Sequence, residues 1–306
     1  MEALVLEPAS LIILGSGSAG NSAVLHGHAG WFLIDIGLNI ADLRRRIAIV
    51  GLEPLRCVGC MLTHTHSDHW KDSSLAWLYG RKLPIWLHPV HLKNLRLQSK
   101  AIHTLEAAGL VHTFEADCPF EPLPGWTALP LKISHDSEPT FGFRLDVCPG
   151  FFQAAGKIGF FSDLGCWDEK HSPQLHDLQI LALEFNHDQD LLQSGSRPHF
   201  LKDRICSDRG HLSNSQAGEV VSSSGIYSGR RDLVLLHLSR ECNTPMHAIC
   251  EAREATRKAG GEWSITVAQQ DEPLQPIHAG FLNSIDQIFQ AKEEAIPCPV
   301  IRRAKQ

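Results

Sequence analysis

Residues 63–69 read Thr-His-Thr-His-Ser-Asp-His and follow an apolar run, 57–62, of the kind that forms a buried strand feeding a loop. Four side chains able to bind a metal, His64, His66, Asp68 and His69, stand within six residues. In an extended segment, positions i and i+2 point the same way. His64 and His66 can therefore close on one ion, while Asp68 and His69, past the bend, face a neighbouring one. A histidine-rich surface turn is the plain alternative in a chain with 18 histidines, but it gives no reason for this order directly after an apolar strand. The segment points to a dinuclear metal site.

The motif resembles the HxHxDH signature of the metallo-β-lactamase-fold hydrolases, and three other strand ends offer the ligands that this resemblance implies. His135 ends the apolar stretch 129–133. Asp163 follows the strand-like run 158–162 and precedes a glycine turn. His237 sits at the exit of the apolar run 233–236, where a buried strand best tolerates a polar residue. Carried over residue by residue, the resemblance implies that His64, His66 and His135 hold a first ion and that Asp68, His69 and His237 hold a second. Asp163 would join the two, since one carboxylate can serve cations roughly 4 Å apart. Asp35, after the run 31–34, matches the family's early aspartate, which orients the metal loop from behind. No cysteine falls in this set, so penicillinase activity is not expected. The ions would be zinc, manganese or iron, because His and Asp ligands suit all three.

At 306 residues, 43% hydrophobic and 20% charged, the chain can bury a full core. No apolar segment approaches the roughly 20 residues of a membrane span, and the first ten residues carry two glutamates and no basic residue, unlike a signal peptide. Nine widely spread cysteines argue for reduced thiols and a cytoplasmic protein; the Cys57/Cys60 pair reads as core packing. Strands are expected near 11–15, 22–26, 31–36, 57–62, 84–88, 111–115, 128–134, 141–147, 157–162, 178–184, 232–238 and 262–268. An apolar stripe (Ile40, Leu43, Ile47, Val50) predicts one helix, and another is expected to begin at Ser213. The expected fold class is α/β (α+β), an αββα four-layer sandwich of two mixed sheets with helices outside. Residues 1–276 would form this domain and 277–306 a C-terminal extension.

Further stretches narrow the branch. The glycine-serine turn at 15–22, Leu-Glu-Phe-Asn-His-Asp at 183–188, Gly-His-Leu-Ser-Asn at 210–214, the run from Leu236 to Asn243 and Val-Ala-Gln-Gln-Asp at 267–271 are similar, in order, to motifs of the YycJ-like (WalJ) metallohydrolases. That bacterial subgroup is associated with nuclease activity on DNA. The resemblance implies a two-metal phosphodiester hydrolase, 5′-exonuclease-like, in which a hydroxide between the ions attacks phosphorus and Asp68 orients it. His211 would contact the phosphate or protonate the leaving oxygen, Glu184 would orient neighbouring ligands, and Asn186 and His187 would donate to phosphate. Ser213 reads as the N-cap of a capping box whose helix would present N–H groups to an anion. The tRNA-gripping arm of ribonuclease Z and its His-Glu-Ala-Thr motif are not recognisable, so tRNA processing is not expected.

A net charge of −6 argues against strong non-specific nucleic-acid binding, yet Arg81, Lys82, Lys93, Arg96 and Lys100 surround Trp86 with no acidic residue between 80 and 103. This stripe would track a strand with the aromatic stacking on a base; a solvated helix face is the alternative. The expected partner is nucleic acid, DNA ahead of RNA, with no membrane involvement and the oligomeric state open. A small-molecule hydrolase of the same fold (thioesterase, lactonase or cyclic phosphodiesterase) is the competing reading, and a binding module with structural metals a distant third.

Overall fold

The computed structural model describes residues 8–148, 155–225, 227 and 229–279. The strands are β1 (Ala9–Gly15), β2 (Ser22–Gly27), β3 (Gly30–Ile34), β4 (Cys57–Met61), β5 (Ile85–Leu87), β6 (Val111–Thr113), β7 (Phe120–Leu123), β8 (Trp126–Ile133), β9 (Thr140–Val147), β10 (Gly156–Phe161), β11 (Ile180–Glu184), β12 (Arg230–Leu236), β13 (Glu262–Val267) and β14 (Ile277–Ala279). They form two seven-stranded sheets, ordered β14-β1-β2-β3-β4-β5-β6 and β13-β12-β11-β10-β9-β8-β7. Each sheet is mixed. β1 to β3 pair antiparallel and β3 to β6 parallel; β7 to β10 pair antiparallel and β10 to β13 parallel.

The period of two along each strand explains the layering. On β1, Leu11 and Ile13 point into the space between the sheets, where they meet Phe32, Phe141, Phe143 and Val234. Ile12 and Leu14, one residue out of phase, pack outward against helices. Helices α1 (Ile40–Ile49), α2 (Asp72–Gly80), α3 (Pro89–Gln98) and α4 (Lys100–Ala107) cover the first sheet through Leu43, Ile47, Leu75, Leu78, Leu95 and Ile102. Leu181, Leu183, Leu233 and Leu235 of the second sheet face α7 (Asn214–Ser222) and α8 (Pro245–Ala259). Two short helices, α5 (Gln189–Ser194) and α6 (His199–Cys206), lie between. The four-layer αββα sandwich is thus present, with β1, β3 and β11 buried on both faces.

All twelve expected strands occur. β7 and β14 were not expected: β7 is a four-residue edge strand containing Pro122, and β14 spans three residues that pair with β1. Both are too short to show a period. The expected extension 277–306 begins with β14, and its residues from 280 onward lie outside the described ones. Among the described residues no helix is long and apolar enough to cross a membrane. Cys57 and Cys60 are buried free thiols, as the core reading requires. Cys118, Cys148, Cys166, Cys206 and Cys242 are free thiols as well.

Candidate metal centre

The site lies at the seam between the sheets, where strands end. Asp35 follows β3, and 63–69 is the loop after β4. From the second sheet come His135 after β8, Asp163 after β10, Glu184 at the end of β11 and His237 after β12. Asp35, Asp163 and His237 have φ values of 60, 55 and 54°, so three of the strand exits bend through the left-handed region that non-glycine residues normally avoid. The turn at Gly37 is also tight: a Cβ there would stand 1.7 Å from the Asp68 carbonyl oxygen.

Five imidazoles converge, and each has one ring nitrogen held near an oxygen while the other faces the centre. Asp35 Oδ2 accepts from His69 Nδ1 at 2.7 Å and from the Thr63 hydroxyl at 2.8 Å. That hydroxyl in turn takes the Nδ1–H of His64 at 3.0 Å. His135 Nδ1 donates to the Gly210 carbonyl at 2.9 Å. His237 Nδ1 lies 3.3 Å from Glu184 Oε1, and His66 Nε2 lies 3.3 Å from Asp136 Oδ1. The remaining nitrogens gather. His66 Nδ1 is 3.2 Å from both His64 Nε2 and His135 Nε2. Asp163 sits 3.1 Å from His69 Nε2 through one oxygen and 3.4 Å from His237 Nε2 through the other. Asp68 Oδ2 is 3.7 Å from His69 Nε2 and 3.9 Å from His237 Nε2. His64, His66 and His135 can hold one ion, and His64, His69 and Asp163 also lie close enough to share one.

The electrostatics suit cations. Burial, reinforced by neighbouring histidines, keeps His64, His66 and His135 below the usual imidazole range, so they are neutral lone-pair donors at pH 7. At the other end, burial would also depress His237, but Asp163, Asp68 and Glu184 carry it to about 10. His69 is raised by Asp163 and Asp35 against the same burial. These carboxylates draw positive charge, which divalent ions can supply in place of protons. His237 Nε2 is buried with no hydrogen-bond partner, an atom left for a ligand bond.

Behind this layer, Glu184 is fully buried and accepts from the backbone N–H groups of Leu164 and Leu212 at 3.0 and 3.2 Å, and from His211 Nδ1 at 2.7 Å. Asp163, Glu184, His211 and His237 form one tight group. A cavity of about 210 Å³ opens over the centre; its lining includes Asp68, Asp163, His211, Asn186, Arg197 and Arg204.

Not every sequence-predicted residue arrives there. Asn186 reaches the cavity, but its amide is spent on His237, donating to the carbonyl at 2.9 Å. His187 is buried, does not line the cavity, and passes its carbonyl to Asn214 N–H. Ser213 is also buried, and the expected anion site at its helix is closed. The capping box is present, with Gln216 Oε1 taking the Ser213 N–H at 2.9 Å and Ser213 Oγ taking that of Gln216 at 3.2 Å. The N–H groups of Ser213, Asn214 and Gln216 are bonded within the chain. The 80–103 stripe is broken up as well. Trp86 packs against Phe32 and stacks on His112, Arg96 pairs with Glu106, and Arg81 lies over Trp77.

Other residues were not anticipated as part of the site. Asn21, in the glycine-serine turn, donates to Asp68 Oδ2 at 3.2 Å, and Ser16 Oγ accepts the His237 N–H at 2.8 Å. The turn thus braces two candidate ligands; its small polar residues beside glycines were the signal. Arg197 and Arg204 lie between the two stretches singled out at 183–188 and 210–214.

The profile of the beta-lactamase superfamily domain matches residues 30–238. Exodeoxyribonuclease WalJ of Streptococcus pneumoniae is 30% identical over 240 residues, covering 76% of this chain and 82% of that protein. Exodeoxyribonuclease YycJ of Bacillus anthracis is 28% identical, covering 76% and 83%. Among solved structures, the metallo-beta-lactamase fold protein YhfI of Bacillus subtilis superposes with a TM-score of 0.59 at 17% identity, covering 88% of this chain and all of that one. The short form of human tRNase Z gives 0.54 at 18%, covering 87% and 98%. At such identities the structures speak for the fold alone, whereas the sequence matches cover most of both chains. The chain belongs to the beta-lactamase superfamily, as a metallo-β-lactamase-fold protein of the YycJ-like (WalJ) kind.

Proposed function

We propose that this protein is a dinuclear metal-dependent phosphodiester hydrolase that degrades DNA as an exonuclease. The observation that carries the reading is the convergence of His64 Nε2, His66 Nδ1, His135 Nε2, His69 Nε2 and His237 Nε2 around Asp163 and Asp68 on the floor of an open cavity. Two divalent ions held there would lower the pKa of water to near neutrality and offset charge on a phosphate. The chain's own residues divide the remaining work. Asp68, fixed by Asn21, accepts the proton of the attacking water and aims its lone pair. His211, whose Nδ1–H is tied to Glu184, turns its other nitrogen toward the substrate and hands a proton to the leaving oxygen.

The polymer is supported by the relatives' exodeoxyribonuclease names and by the cavity rim. Arg197, paired with Glu241, and Arg204, paired with Asp136, line the cavity, and Phe200 on α6 is 74% exposed. Basic and aromatic side chains together suit a phosphate backbone with stacked bases. This wall takes the role expected of the 80–103 stripe.

Labelled single- and double-stranded DNA and RNA, assayed with zinc, manganese or iron restored to metal-free protein, test the reading. DNA shortened from an end is expected. Asp68→Asn and His211→Ala should each cost about 100-fold or more in turnover, the scale of a lost acid, base or transition-state donor. If no polynucleotide is cut while a thioester or lactone is, a small-molecule hydrolase replaces this proposal.

A further inference from the structure

His66 is the candidate ligand most open to solvent, with 36% of its side chain exposed, and no carboxylate buried beneath the loop holds it as Asp35 holds His69. Its partner comes from the opposite sheet. Asp136 Oδ1 is 3.3 Å from His66 Nε2 and 3.4 Å from His135 Nε2, and it is buried without a hydrogen-bond donor of its own. The other oxygen, Oδ2, is clamped by Arg204, with Nε at 2.9 Å and Nη2 in close contact. Arg204 in turn is carried by α6 on the cavity wall.

We propose that Asp136 is the positioning residue of the first metal ion: its unpartnered Oδ1, 3.3 Å from His66 Nε2, takes the Nε2–H when that ring is seated on the ion and so presents Nδ1 to it, with Arg204 holding the carboxylate in place. An imidazole has two tautomers, and only the one protonated on Nε2 leaves Nδ1 free to bind. Asp136 Oδ1 is the carboxylate oxygen beside that nitrogen. Carboxylates behind metal-bound histidines fix the tautomer and raise ligand basicity, and their loss typically costs 10–100-fold in metal affinity. The arrangement also ties the first ion to the wall that would meet the substrate. Rotation of Arg204 toward an incoming phosphate would slacken the hold on His66.

The inference rests on the metal-binding reading above, and the test separates the two. Metal-free wild type, D136A, D136N and R204A are titrated with cobalt(II), following the visible d–d bands and the affinity of each ion, with circular dichroism as a check on folding. Wild type should bind two ions. D136A should bind one of them about 10–100-fold more weakly. D136N, whose amide oxygen still accepts from Nε2–H, should recover most of that loss with unchanged bands, and R204A should fall between. Equal affinity in wild type, D136A and D136N would overturn the positioning role while leaving the metal centre intact. Loss of a band assignable to one oxygen donor in D136N would make Asp136 a ligand and overturn it too. Wild type that takes up no cobalt would overturn the metal reading itself.

Discussion

Glu184 accepts the Nδ1–H of His211 at 2.7 Å from a position with no solvent exposure. Burial would push this carboxyl up, but His211 and His237 beside it hold it down at about 2, so it stays ionised. Its other oxygen, Oε2, receives both backbone N–H groups, those of Leu164 and Leu212, while His237 Nδ1 lies 3.3 Å from Oε1. Glu184→Gln keeps the shape but turns an NH₂ toward one set of those donors. The expected outcome is a 10- to 100-fold fall in turnover and a loss of about 1–3 kcal/mol in stability. Steady-state kinetics and urea unfolding of the same preparation check both.

Asp163 lies beside His69 and His237, assigned to the second ion, and also shares a group with His64, assigned to the first. Removing it should therefore release more metal than removing any one histidine. Elemental analysis should find up to two divalent ions per chain in the replete protein and the largest deficit in Asp163→Ala; a His135→Ala variant that loses as much would deny Asp163 its shared position.

Chelation should also destabilise the fold. The centre packs five imidazoles and several carboxylates that cations would hold together, and an ion at 100 times its dissociation constant stabilises by about 2.7 kcal/mol. A thermal midpoint several degrees lower after EDTA, restored by adding back the metal, is the expected result.

A pH effect should also arise at a histidine outside the candidate ligand set. His91 is buried, its Nε2–H donates to the Pro139 carbonyl at 2.7 Å, and burial pushes it down to about 4. Below the ordinary value of 6.5 the unfolded chain binds a proton that the folded chain refuses. Its contribution is complete above pH 6.5 and is lost as pH falls toward 4, by on the order of 3 kcal/mol. Urea midpoints of metal-free protein at pH 7.5, 6 and 5 should show this decline, and His91→Gln, which keeps an N–H donor, should flatten it.

Phe200 and Arg197 should matter for polymers only. Phe200→Ala and Arg197→Ala are expected to raise KM for a single-stranded oligonucleotide about tenfold, the scale of one lost stacking or phosphate contact, and to leave bis-(p-nitrophenyl) phosphate unaffected. Ala at Lys82 and Lys93, away from the cavity lining, should change neither.

The candidate ligands were readable because each closes an apolar strand, a local pattern that exposes its polar terminus: His64 after 57–62, Asp163 after 158–162, His237 after 233–236. The supporting contacts were not readable. Ser16 meets His237 across 221 residues and Arg204 meets Asp136 across 68, and only the folded sheets bring them together. Ser213 shows the opposite failure. Its capping box was legible, but the box itself takes up the Ser213 and Gln216 N–H groups, two of the donors that made the helix end look like an anion site. Trp86 was misjudged because a partly apolar strand residue beside basic neighbours has the same local pattern whether it faces solvent or packs on Phe32.

The division of the ligands between the sheets has a consequence for biogenesis. Asp35 and the 63–69 loop hang from the first sheet, while His135, Asp163, Glu184 and His237 hang from the second. Neither half carries both sides of the centre. An undocked first sheet would offer the three histidines and Asp68 of its loop but none of the second sheet's ligands, so a complete centre, and the chemistry proposed for it, would require the closed sandwich.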